Sequence, residues 1–88
     1  MAWTIEYNDT ARKQLKKIDR ALARRILDYM DHRIAELDNP RDAGRALSGV
    51  LKEYWRYRVG DYRLICEIHD DRVVVLVIDI GHRREIYR

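Results

Sequence analysis

The sequence predicts an α+β domain in the order β-α-α-β-β-β, a helical hairpin packed on a mainly antiparallel, twisted sheet. Three observations carry this prediction. The apolar period is two at the N-terminus, becomes helical after Asn8-Asp9, and returns to two from Tyr54. Asp38-Asn39-Pro40 separates the helical part from the rest, because proline disfavours the α conformation at the residue before it. Gly60-Asp61 and Asp70-Asp71 then punctuate the C-terminal half at hairpin spacing. Eighty-eight residues leave room for one domain, taken as 1–88.

Each element has its own signature. In the stretch 2–7, Trp3, Ile5 and Tyr7 share one face and Thr4 and Glu6 the other, the mark of a half-buried strand. Asn8 and Asp9 offer a side-chain oxygen to the free amides of a first helical turn. Ala11, Leu15 and Ile18 form the apolar stripe of that helix, with Arg12, Lys13, Lys16 and Lys17 around it. Asp19 is placed to cap a second helix whose apolar spacing through Leu22, Ile26, Met30 and Ile34 runs to Leu37. A short helix is expected around Ala43–Leu47, between Gly44 and Gly49. Beyond it, Trp55, Tyr57 and Val59 alternate with Tyr54, Arg56 and Arg58. Leu64, Cys66 and Ile68 then alternate with Arg63, Ile65 and Glu67. The run from Val73 to Ile78 is apolar on both faces, which predicts a central strand, ended by Gly81.

Composition excludes several classes. The single cysteine, Cys66, cannot close an internal disulfide and reads as a small buried hydrophobe. His32, His69 and His82 are scattered and make no zinc-ligand spacing with a cysteine, so neither a metal nor another cofactor is expected. The longest apolar run falls far short of the ~20 residues that span a bilayer. No basic stretch precedes an apolar one at the N-terminus, so a cytoplasmic protein without a membrane partner is expected.

The basic residues divide by type. There are 18 Lys and Arg against 15 Asp and Glu, a net charge of +3. From Tyr54 onward every one of them is arginine: Arg56, Arg58, Arg63, Arg72, Arg83, Arg84 and Arg88. A guanidinium grips phosphate oxygens with a planar fork and stacks on bases. Arginines interleaved with tyrosines on a sheet suit single-stranded RNA. Cross-strand pairs of Arg58 or Arg63 with Glu67 would account for part of the same pattern as simple solvation. Lys13, Lys16, Lys17, Arg20, Arg24 and Arg25 read as a solvated helical coat with i,i+4 partners for Asp28 and Asp31.

The stretch Trp55-Arg56-Tyr57-Arg58-Val59-Gly60-Asp61-Tyr62-Arg63-Leu64, the Val/Ile-rich strand and the tail Gly81-His82-Arg83-Arg84-Glu85-Ile86-Tyr87 together resemble the RelE branch of the RelE/ParE toxin superfamily. The likeness covers nearly the whole chain. It implies the toxin of a type II toxin–antitoxin pair, a ribosome-dependent endonuclease that cuts mRNA in the A site by metal-independent 2′-OH attack. The implied partners are a RelB-like acidic antitoxin, the ribosome and A-site mRNA. By the same resemblance, Arg63 binds the phosphate in the transition state, Arg83 the leaving group or phosphate, and Tyr87 orients the nucleotide. Arg56, Arg58 and Arg84 are implied phosphate contacts. Arg56 and Arg58 stand where the best-known member has lysines, and arginine cannot serve as a general base. His82 is the implied candidate for proton transfer, since an imidazole titrates in the useful range. Tyr87 is next to last, which implies that the C-terminal helix of some members is lacking. The alternative is a ParE-like protein that binds DNA gyrase and has no nuclease site.

Overall fold

Alternation, caps and turns assemble as a mixed five-stranded sheet with two helices on one face. This is a computed structural model, and it describes residues 2–47 and 54–82. The strands are β1 (Thr4–Tyr7), β2 (Arg45–Ala46), β3 (Trp55–Val59), β4 (Tyr62–His69) and β5 (Val74–His82), in the spatial order β1-β5-β4-β3-β2. β1 lies parallel to β5 and every other neighbouring pair is antiparallel. The doubly apolar strand is therefore interior, as its composition predicts.

Both helix starts follow from short polar side chains. Asn8 Oδ1 accepts from the Ala11 amide at 2.8 Å ahead of α1 (Asp9–Lys17). Asp19 Oδ2 accepts from the Leu22 amide at 3.4 Å ahead of α2 (Arg20–Tyr29). The second helix does not continue regularly to Leu37. From Met30 to Ile34 it widens into a π-helical turn, closed by Ala35 N–H donating to Met30 C=O at 2.9 Å. This turn keeps Met30 and Ile34 fully buried, and the Ala35 carbonyl accepts from the Trp3 amide at 2.8 Å.

The short helix expected around Ala43–Leu47 is absent. Pro40–Asp42 forms one 3₁₀ turn, and β2 follows as a two-residue strand against Trp55 and Arg56. Gly44 is the reason. Its φ of +77° is outside the helical range, and a Cβ there would stand 2.4 Å from the Arg56 carbonyl oxygen. Residues 48 and 49 of the stretch singled out in the sequence lie outside the described residues.

The core forms between the helices and the covered sheet face. Ala11, Ile26, Met30 and Ile34 meet Tyr57, Val59, Leu64, Cys66, Val75, Val77 and Ile80. The spacing along β5 is uneven, two residues from Val75 to Val77 and then three to Ile80. The parity change falls at a bulge, where Ile65 pairs with Asp79 but Cys66 pairs with Val77. Gly81 does not end the strand. It pairs with Arg63, and the ladder closes one residue later at His82 opposite Tyr62.

Beyond Tyr7, β1 no longer covers the outer edge of β5, and α1 takes over. Gln14 Oε1 accepts from the Ile80 amide at 2.6 Å, and Gln14 Nε2 donates to Asp79 Oδ1 at 2.6 Å. At the opposite end, Arg41 grips Asp70 with two bonds of 3.0 and 2.9 Å, tying the 3₁₀ turn to the β4–β5 turn. The hydrogen bonds from Arg41 hold the Asp70 carboxyl below its ordinary range.

Two stability predictions follow from these contacts. Gln14→Ala leaves the Ile80 amide without its acceptor and is expected to cost ~1–3 kcal/mol, measured by urea denaturation. Burial pushes the Cys66 thiol far above its usual range. Cys66 is therefore expected to react with a disulfide reagent at pH 8 only after denaturant opens the fold, as followed by absorbance.

Candidate phosphate-binding site

Strand pairing collects arginines on the sheet face away from the helices. Leu64 and Cys66 face the core, so Arg63 and Ile65 between and beside them face the other way. On β3, Tyr57 and Val59 face the core, and Arg56 and Arg58 share the far side. Arg58 stands directly opposite Arg63, and Arg45 of β2 directly opposite Arg56. The result is a four-arginine ladder across three strands. From strand spacing and rise, Arg63 and Arg45 lie about 12 Å apart at Cα.

Arg63 holds the inner end of this ladder. It is only 3% exposed, the one charged side chain in the buried class among the described residues. Its two cross-strand neighbours are Arg58 and Gly81. Gly81 presents no side chain beside it. Arg58, at the hairpin end of β3, is exposed, and Arg56 is half-buried.

Carboxylates do not stand opposite these arginines in the ladder. Glu67, weighed in the sequence as a partner for Arg58 or Arg63, bonds instead to His69, with Oε1 and Nε2 at 2.9 Å. Glu6 lies 3.7 Å from Arg72. These two acids thus attend the other half of the sheet. The helical coat also departs from expectation: among the described residues, Asp28 and Asp31 form no ion pair with the lysines or arginines of α1 and α2.

The sequence-derived residues are only partly brought together. Arg56, Arg58 and Arg63 share a face. His82 does not join them: it sits opposite Tyr62 on the helix side, its ring edge-on to the tyrosine at 5.5 Å and 86°. The bulge at Ile65/Cys66 is the cause, because unbroken alternation from Val74 would have put residue 82 with the arginines. Arg83, Arg84 and Tyr87 lie outside the described residues. Arg45 was missed, because a two-residue strand has no period to read. Tyr29 packs edge-on against Tyr57 at 6.4 Å. It also lines a cleft of about 460 Å³ with Gly44, Arg45, Arg56 and Arg58.

A row of arginines on one sheet face of a two-helix α+β scaffold defines the architecture, and comparison with known proteins gives its family. The family model of the ParE toxin of type II toxin–antitoxin systems, parDE, matches residues 5–87. The chain belongs to this family, and it is a type II toxin of the RelE/ParE superfamily. It is 27% identical over 88 residues to the toxin RelG of Mycobacterium tuberculosis, spanning 100% of this chain and 99% of that protein. It is 30% identical over 91 residues to the mRNA interferase toxin RelE of Escherichia coli, spanning 99% and 92%. In structure it is similar to the toxin–antitoxin complex RelBE2 of M. tuberculosis, with a TM-score of 0.85 at 24% identity over 94% of this chain and 93% of that one. A mutant E. coli RelE toxin in the free state gives a TM-score of 0.75 at 25% identity, over 99% and 92%. None of the described helices is long and apolar enough to cross a membrane.

Like charges opposite one another destabilise a sheet, so the ladder is expected to limit stability. Arg58→Glu places a carboxylate opposite Arg63 and is expected to raise stability by ~0.5–1 kcal/mol in chemical denaturation.

Proposed function

We propose that this toxin is a ribosome-dependent mRNA endonuclease that cuts in the A site and so inhibits translation, with the arginine ladder as its phosphate-binding surface. The observation that carries the reading is Arg63, buried at mid-sheet between Arg58 and Gly81. A guanidinium this deeply buried has little water to reorganise when charge develops on a bound phosphate. The relatives named for mRNA cleavage support the same activity here.

In the proposed reaction the 2′-OH of one nucleotide attacks the adjacent phosphorus. The bond to the 5′ oxygen breaks, leaving a 2′,3′-cyclic phosphate and a free 5′-OH. Negative charge gathers on the five-coordinate phosphorus, where Arg63 stabilises it and Arg83 supports the leaving oxygen. Arg56, Arg58 and Arg84 hold flanking phosphates, and Tyr87 stacks on or orients the nucleotide. In-line placement of the 2′-OH contributes as much as charge does. With its ring against Tyr62 and away from Arg63, His82 takes a rim position in this reading rather than a central one. An acidic antitoxin covering the arginine face is the proposed inhibitory partner. The complexes of RelE-type toxins with antitoxins among the structural neighbours support it.

One observation favours a second reading. The matching family model is that of ParE, so a gyrase-directed toxin without nuclease activity is the alternative. Primer extension on translated mRNA separates the two, because a gyrase poison makes no codon-phased cuts.

Arg63→Ala and Arg83→Ala are each expected to abolish cleavage in a ribosome-containing translation assay, with circular dichroism unchanged. Wild-type cutting by either variant sinks the assignment. His82→Gln is expected to keep cleavage within about tenfold, whereas a general base contributes roughly 10²–10⁴-fold. A loss beyond a hundredfold would return His82 to the centre of the reaction.

A further inference from the structure

The cleft at the β3 edge shares Arg56 and Arg58 with the ladder, and adds two residues the chemistry just described does not use, Tyr29 and Arg45. β2 covers only Trp55 and Arg56 of β3, so among the described residues no strand neighbours the edge of residues 57–59. The cleft opens there, about 460 Å³ in volume, lined among the described residues by Tyr29, Gly44, Arg45, Arg56 and Arg58. Three arginines line it, from two strands. Tyr29, at the last turn of α2, supplies an aromatic wall of a different chemistry. Its ring is kept in place by the edge-on contact with Tyr57, whose own hydroxyl donates to the Pro40 carbonyl at 2.6 Å. Gly44 holds β2 against β3, since any Cβ there would meet the Arg56 carbonyl oxygen at 2.4 Å and Trp55 Nε1 at 2.7 Å.

A fixed aromatic ring beside several guanidiniums is the pairing that holds an unstacked nucleotide: the ring takes the base and the arginines take its phosphates. An acidic peptide would use the charges and leave the ring without a task. A duplex would keep its bases stacked and out of reach of Tyr29. The distance also fits a single strand. Arg45 lies about 12 Å from Arg63 at Cα, so one chain could cross both along the ladder.

We propose that this cleft is a second nucleotide subsite, in which Tyr29 stacks on an unpaired base and Arg45, together with Arg56 and Arg58, binds the neighbouring phosphates of the same RNA strand that Arg63 engages. The proposal rests on the nuclease reading and adds to it a specificity-determining pair, Tyr29 and Arg45, remote from the scissile bond.

The test measures binding of a fluorescent single-stranded RNA pentamer to the intact toxin by anisotropy, beside the mRNA-cleavage assay. Arg45→Ala and Tyr29→Leu are each expected to weaken the pentamer about tenfold, the range of one stacking contact. Tyr29→Phe is expected to restore binding, since it keeps the ring. A pentamer abasic at every position is expected to respond to Arg45→Ala but not to Tyr29→Leu. Thermal melts confirm that each variant is folded. Because Tyr29 also packs on Tyr57, leucine is used in place of alanine, and Arg45→Ala tests the cleft without touching the core. Folded Tyr29→Leu and Arg45→Ala proteins that bind the pentamer as the wild type does overturn the proposal. So does preference for a duplex of the same sequence, or equal competition by pentaglutamate. A wild type that binds the pentamer through Tyr29 and Arg45 but makes no codon-phased cuts supports the subsite and overturns the nuclease reading. A wild type that cuts without this dependence overturns the subsite alone.

Discussion

The register of β4 between β3 and β5 is the constraint on which the rest depends. A strand has a side-chain period of two, so a slip of one residue exchanges its faces completely. Leu64 and Cys66 are fully buried in the core beneath the helices. Arg63, next to Leu64, would take their place after such a slip, and an ion moved into that apolar layer costs several kcal/mol even after relaxation. The apolar side of β4 thus fixes its polar side. Tyr57 opposite Leu64 and Ile80 beyond it repeat the constraint on both neighbours.

β5 meets that register only because it is bulged. Val75 and Val77 face the core at normal spacing, and Ile80 returns to it after three residues instead of two. One extra residue between them changes which face everything downstream occupies. With it, Gly81 lies beside Arg63 and His82 turns toward Tyr62. Without it, Ile80 would leave the core and His82 would stand in the arginine ladder. Gln14 steadies the strand just after this defect by bonding to both Asp79 and the Ile80 amide. A helix residue therefore helps decide which groups flank the candidate site on the opposite face.

This explains which parts were legible in the sequence. Asn8 and Asp19 could be read as caps because the capping oxygen acts within three residues. The faces of β3 and β4 were legible from alternation alone, and with them the shared face of Arg56, Arg58 and Arg63. The bulge was not, because Val73 to Ile78 is apolar throughout and an inserted residue leaves no gap in the pattern. The π turn at Met30–Ile34 escaped for a similar reason, since Met30 and Ile34 have the spacing of an ordinary helix. β2 was hidden by its length. Two residues, Arg45 and Ala46, acquire their conformation from Gly44 and from the edge of β3 rather than from their own preferences. Arg83, Arg84 and Tyr87 were legible only through the resemblance of the tail to RelE-type toxins.

The distribution of charge completes the division of the sheet. Glu6, Glu67 and Asp70 each have a basic neighbour, Arg72, His69 and Arg41, and these pairs lie toward β1 and the β4–β5 turn. At the hairpin end Arg58 faces Arg63, and at the β2 edge Arg45 faces Arg56. A sheet evolved for stability alone would have mixed the two signs. Like charges held opposite each other are tolerable here because the apolar face of the same strands fixes them, and no side chain of that face is shared with the ladder. The net charge of +3 sums the whole chain and conceals this local division. Locally the sheet presents a row of arginines, with the Tyr29 ring at its outer edge.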